Sequence, residues 1–219
     1  MNTVAIVIIF SIVLPILLLF FFIHQYNSNV KGIEYDQHLI TDKGLLETIA
    51  GQPGGVVSLK QLVEVTPLTK KQVRFRLMYF QGQGLVKYSH DTRMKAYYSL
   101  TAPIDERPAP PLSDKPLLTV EDILTLFKHH DYQLTLQKIC MNTGLPIVVI
   151  KRELKYFTKE NIVKMLYTYG ADGATTSKTY ILEEPYRSNP DIFMEKQEEI
   201  DFELEELLEE EMVRVRRRD

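Results

Sequence analysis

Lys70, Lys71, Gln72 and Arg74 lie within five consecutive positions and give this 219-residue sequence its strongest chemical signal. Arg93 and Lys95 follow in a short polar stretch that also holds His90. Ammonium and guanidinium groups at this density neutralise phosphates and release their counterions. Gln and Arg can also bond base edges through two hydrogen bonds at once. A solvated helix face carries such residues too, but here they concentrate on one predicted helix and one predicted hairpin tip. The chemistry on offer is polyanion binding, and duplex DNA is the expected partner.

Groupings that could catalyse a reaction are sparse. His24, His38, His90, His129 and His130 are scattered, with no H-E-x-x-H or Cys–His spacing of a metal site. The single cysteine, Cys140, falls on a predicted core position. It can build no internal disulfide framework, which suits a reducing compartment. The glycine-rich stretch 51–55 lacks the Lys-Ser/Thr pair of a phosphate loop. The expectation is no enzyme activity, no metal and no cofactor.

The elements that must position these residues emerge from an internal repeat. Shifted by 77 positions, residues 58–88 lie over 135–165 without a gap. Leu59 meets Leu136, Leu62 meets Ile139 and Val63 meets Cys140. Val73, Leu77 and Phe80 meet Ile150, Leu154 and Phe157, in the i, i+4, i+7 spacing of a buried helix face. Each copy parses alike. A first helix opens near Asp42, or at Thr119 with Asp122 completing a capping box. A short extended piece follows, then a helix capped by Ser58 or Thr135, a tight turn, and a third helix. That helix stops at Gly84 or Asn161, the residue types best able to take the left-handed conformation at a helix end. Two strands close each copy. Tyr98 corresponds to Tyr180 at a shift of 82, so the second hairpin tip is longer.

This order of elements resembles the winged-helix superfamily over roughly residues 42–182, and the pair is similar to a tandem winged-helix protein. The resemblance implies an α+β chain with domains at 42–102 and 117–187. It further implies that the third helix of the first domain lies in the major groove while the hairpin tip meets the backbone. Carried onto this sequence, the groove-facing residues are Lys70, Lys71, Gln72, Arg74, Phe75 and Met78, and the tip residues are His90, Arg93 and Lys95. Thr69 would add backbone amides for a phosphate. The second copy departs from the pattern, with Ile147, Val148 and Val149 where the first has Lys70, Lys71 and Gln72. An apolar first turn points to a protein contact or to burial against the neighbouring copy. Residues 103–116, rich in proline, read as an extended spacer.

Charge is laid out in blocks beneath a net of −3. Residues 42–100 hold nine basic and four acidic side chains, and residues 183–219 hold six basic and fourteen acidic ones. Residues 189–219 read as an acidic amphipathic helix whose apolar positions include Ile200, Leu204, Leu208 and Met212. Together with Ile147 and Val148, Leu204 and Leu208 are the expected contacts to a protein partner or a second copy. A sharper expectation is that the acidic face covers the basic surface of the first domain.

Finally, twenty uncharged residues run between Val4 and Ile23. At about 1.5 Å per residue they span about 30 Å, the thickness of a bilayer core, and read as a transmembrane helix. No basic stretch precedes them and no small-residue cleavage site follows, so a cleaved signal is disfavoured. Residues 24–41 form a linker, and its Lys31, with Lys43 beyond, places the C-terminal domains in the cytoplasm. The expected protein is a single-pass cell-membrane protein that binds DNA for transcription regulation or anchoring. The alternative is a membrane-bound scaffold whose domains bind partner proteins.

Overall fold

The computed structural model describes residues 16–19, 37–105, 107–169 and 175–216. The chain is α+β, with helices packed around two small antiparallel sheets. The expected membrane span, 4–23, lies outside the described residues except for 16–19, which are helical and exposed. Among the described residues no helix is long and apolar enough to cross a membrane.

The first unit runs α1 (Asp42–Ala50), a 3-10 turn (Pro53–Gly55), β1 (Val56–Ser58), α2 (Leu59–Val65), α3 (Lys70–Gly82), β2 (Val86–His90) and β3 (Ala96–Leu100). The second runs α4 (Val120–His129), α5 (Leu136–Thr143), α6 (Ile147–Lys159), β4 (Val163–Tyr169) and β5 (Thr175–Leu182). Helix starts follow the local sequence. Thr41, Ser58, Thr69, Thr119 and Thr135 each accept a backbone N–H in the first turn of the helix they precede. After the third helices, Gly84 and Asn161 both take positive φ, at 75° and 55°.

The repeat extends to the strands. In the first unit β1 pairs with β3, Val57 opposite Tyr98. In the second a single bridge, Leu134 to Tyr180, stands at the corresponding place. Val73, Leu77 and Phe80 are buried, as are Ile150, Leu154 and Phe157, so both third helices turn the same stripe inward. The buried side chains of the two units form one continuous cluster.

Two buried charges occupy equivalent positions on that stripe with opposite sign. Arg76, fully buried, donates to Ile40 O at 2.6 Å and to Asp42 Oδ1 at 2.5 Å. Glu153, also fully buried, accepts the Leu118 N–H at 2.8 Å and a guanidinium N–H of Arg152 at 2.7 Å. Each ties its third helix to the start of the first helix in the same unit. Asp42 does more, because its Oδ2 accepts the N–H of Ile147 at 2.9 Å. The first unit thereby caps the third helix of the second, where Pro146 supplies no side-chain acceptor.

The proline-rich segment holds no helix among its described residues and is docked on the second unit. Gln137 donates to the carbonyls of Ala102 and Pro103, and Ser113 bonds the Asp122 carboxylate through its N–H and hydroxyl. Arg107 pairs with Asp105 and donates to His129 O at 2.9 Å. Proline removes backbone donors, but these side chains and carbonyls still find partners on the second unit.

The acidic tail forms two helices, α7 (Asp191–Glu195) and α8 (Gln197–Arg216), where the sequence predicts one. Pro190 occupies the cap position and no side chain caps α7. Phe193, Ile200 and Leu204 are buried. Asp201 accepts the Val120 N–H at 3.0 Å, placing a carboxylate at the N-terminus of α4, and Lys115 pairs with Glu205 at 3.1 Å.

Candidate nucleic-acid interface

Helix α3 divides cleanly into two faces. Val73, Arg76, Leu77, Tyr79 and Phe80 are buried, whereas Lys70, Lys71, Arg74 and Met78 are exposed and Phe75 is half-buried between them. The periodicity that packs the core therefore presents three cations on the opposite side. Lys71 Nζ lies 5.7 Å from the centre of the Phe75 ring, over its face. Burying Asp42 with Arg76 removes one acid and one base from the surface together. The exposed or half-exposed charges over 42–100 are then eight cations and three carboxylates.

The β2–β3 tip is held by Asp91. Its Oδ1 accepts the N–H groups of Arg93 at 2.8 Å and Lys95 at 2.9 Å, and its own N–H donates to Lys95 O at 3.1 Å. Arg93 and Lys95 are consequently exposed on a tight loop, and Lys95 Nζ sits 5.3 Å from the Tyr97 ring centre. Arg74 reaches the same hairpin electrostatically. Burial and Tyr88 raise the Tyr98 hydroxyl above its ordinary pKa, and the Arg74 charge opposes them.

Between α2, the start of α3 and the hairpin lies an open groove of about 530 Å³. Lys60, Lys70 and Lys95 line it, with Leu59, Val63 and Ala96 as its apolar wall. Lys60 is shared with Glu64 at 3.7 Å, an exposed pair that is weak and easily exchanged. The structure thus brings Lys70 of the helix and Lys95 of the tip to one surface.

Gln72 caps its own helix. Its Oε1 accepts both the N–H of Thr69 at 2.7 Å and the hydroxyl of Thr69 at 2.6 Å, while Thr69 Oγ1 faces the Gln72 N–H at 3.4 Å. This reciprocal capping box engages the Gln72 carbonyl and two of the amides expected to meet a phosphate. The signal was present as T-x-x-Q across Thr69 and Gln72.

The expected protein contacts also change place. Ile147 is fully buried beside the first unit, and Val148 is half-buried against the common core. Lys151 lies over the Tyr79 ring of α3 at 5.8 Å, and its pKa is lowered by burial and then by Lys178. On the other flank of α6, Tyr156 donates to Glu203 of α8 at 2.6 Å. Leu204 is fully buried and Leu208 half-buried. Ile147 and Leu204 therefore hold the chain's own parts together, because an apolar turn with an uncapped N-terminus is best satisfied by the neighbouring unit. The third helix of the second unit is flanked on both sides where that of the first is open. Among the described residues, α8 packs on α4 and α7 and reaches Tyr156 of α6 and Lys115.

Cys140 is buried and its thiol is pushed up by that burial, so the thiolate is strongly disfavoured. Among the described residues no group of three or more His, Cys, Asp or Glu side chains is arranged to hold a metal ion. No protein-family model matches the chain, and no curated protein matches it.

Proposed function

We propose that this chain is a tandem winged-helix protein that binds duplex DNA through its first unit while residues 4–23 tether it to the cell membrane, the folded units facing the cytoplasm. One observation carries the DNA reading. Lys60, Lys70 and Lys95, from three separate elements, line a single groove beside exposed Lys71 and Arg74. At about 1.5 Å per residue, α3 is about 20 Å long, and with side chains about 10–12 Å across, which matches the major groove. Its outward face carries no carboxylate, so nothing on it repels a phosphate backbone. The role is gene regulation or fixation of DNA at the membrane, and no cofactor enters it.

The second unit serves as a support. Its equivalent helix is occupied by intrachain contacts, so one reader and one brace describe the pair better than two readers. The uncharged segment supports the tether by length and composition alone.

The test is fluorescence anisotropy of a labelled duplex with the full chain in a non-ionic detergent, across a salt series. About five phosphate contacts give a log–log slope of about −4 to −5. Charge reversal at Lys70, Lys71 and Arg74 together is expected to abolish binding while leaving the circular dichroism unchanged. Absence of salt-sensitive binding overturns the DNA reading. It would favour a protein partner on the same face, where Met78 is 54% and Met94 74% exposed.

A further inference from the structure

A second cavity, of about 610 Å³, lies where the two units and the connecting segment meet. Its walls include Lys43 and Glu47 of α1, Ile104 and Arg107 of the connection, and Lys138 and Met141 of α5. None of these belongs to the cationic face of α3. The volume falls in the range of small-molecule sites, roughly 300–1,000 Å³.

The charges in the wall are unequally engaged. Arg107 and Asp105 satisfy one another, with Nη2 at 2.7 Å from Oδ2 and Nε at 3.0 Å. The guanidinium holds the Asp105 carboxyl well below the usual carboxylate range. Lys43, from the first unit, makes no ion pair among the described residues. Lys138, from the second, makes one side-chain hydrogen bond, to Gln133 O at 3.4 Å, near the limit for such a bond. Both lysines are half-buried and line the cavity. Glu47, exposed in the wall, is the one carboxylate among the described lining residues not bound to an arginine. His130, buried in the wall, has its pKa lowered first by that burial and then by Lys138, His129 and Arg107, against the Asp105 carboxylate at 3.5 Å. Ile104, Met141, Pro103 and two alanines supply the apolar part of the wall.

We infer that this cavity binds a small soluble organic anion, a phosphate or carboxylate carried on an apolar body about one ring in size. The anionic group is held between Lys43 of one unit and Lys138 of the other, and the body packs on Ile104 and Met141. This inference does not rest on the DNA reading, because the two sites share no residue.

Isothermal titration of the full chain in non-ionic detergent with phenyl phosphate or benzoate, at matched ionic strength, tests it. Saturable one-to-one binding of either probe is expected, weakened at least tenfold in the K43Q/K138Q double variant. Ala109→Trp, at an exposed position on the rim, is expected to weaken it similarly by filling the mouth of the cavity. Reversal of Lys70 and Lys71 is expected to leave it unchanged. Four results would overturn the inference: no saturable binding of either probe, full affinity in the double variant, loss on reversing Lys70 and Lys71, or equal affinity for inorganic phosphate, which lacks the apolar body.

Discussion

Replacing Asp42 with alanine tests the junction between the two units most directly. The side chains of Asp42 and Arg76 are both fully buried, and the Asp42 carboxylate serves two donors, Arg76 Nη2 at 2.5 Å and Ile147 N at 2.9 Å. Without it, Arg76 keeps the Ile40 carbonyl, and its Nε already lacks a partner. Breaking one side of a buried ion pair costs about 3–5 kcal/mol, because the surviving charge stays desolvated. The uncapped Ile147 amide adds about 1 kcal/mol. Domains of this size hold roughly 5–15 kcal/mol in total, so the loss is a large share of it. Asp42→Asn keeps the shape and one oxygen, and its expected cost is about 2 kcal/mol. The combination of Asp42→Leu with Arg76→Met removes both charges and is expected to regain most of the loss, since an apolar pair is often no worse than a buried ionic one. Urea unfolding of the full chain, followed by circular dichroism, gives each value from its midpoint and slope. A cost below about 1 kcal/mol for Asp42→Ala would refute the reasoning, as would a double variant no more stable than the single one.

Two other outcomes follow from geometry already described. Gln72→Ala is expected to lower stability by about 1 kcal/mol through loss of the capping box, and to leave the base preference of any bound duplex unchanged. Selection of binding sites from a random duplex pool checks it, and an altered preference would restore Gln72 as a base reader. Burial, reinforced by Lys138, His129 and Arg107, pushes His130 down to about 4 from its ordinary 6.5. Between these values the unfolded chain takes up a proton that the folded chain does not, so stability is expected to fall as pH drops from 6.5 towards about 4. His130→Gln should flatten that part of the urea-midpoint profile; a slope identical to that of the parent protein would show that another group is responsible.

The repeat was legible because hydrophobic spacing is a local property. Leu59 over Leu136, Val73 over Ile150 and Phe80 over Phe157 mark the same buried positions in both copies. Tyr98 and Tyr180 likewise occupy matching strand positions, at a shift that already allowed for the longer tip. The outward set Lys70, Lys71, Arg74 and Met78 was legible for the same reason, being what remains once the inward stripe is assigned. Arg76 was not. A cation on an amphipathic helix reads as solvated, and its partner Asp42 lies 34 residues earlier, beyond any local pattern. The fate of Ile147 was left open between two kinds of contact, since an apolar turn does not announce which surface will cover it. The prolines of the connection 103–116 describe backbone stiffness, whereas its position is set by Arg107, Ser113 and the carbonyls that Gln137 holds. For Gln72 the capping role is a local signal, T-x-x-Q at a helix start.

The carboxylate of Asp42 reaching the amide of Ile147 makes the molecule indivisible at its most tempting cut. A scissor placed in the proline-rich stretch would yield two fragments of respectable length, each with a recognisable core. One would carry a helix whose leading turn had lost its acceptor and bared an isoleucine; the other would hold a carboxylate with one oxygen still on Arg76 and the other without its donor. The halves are alike in plan yet share a buried contact, so point substitutions dissect the chain more cleanly than truncation.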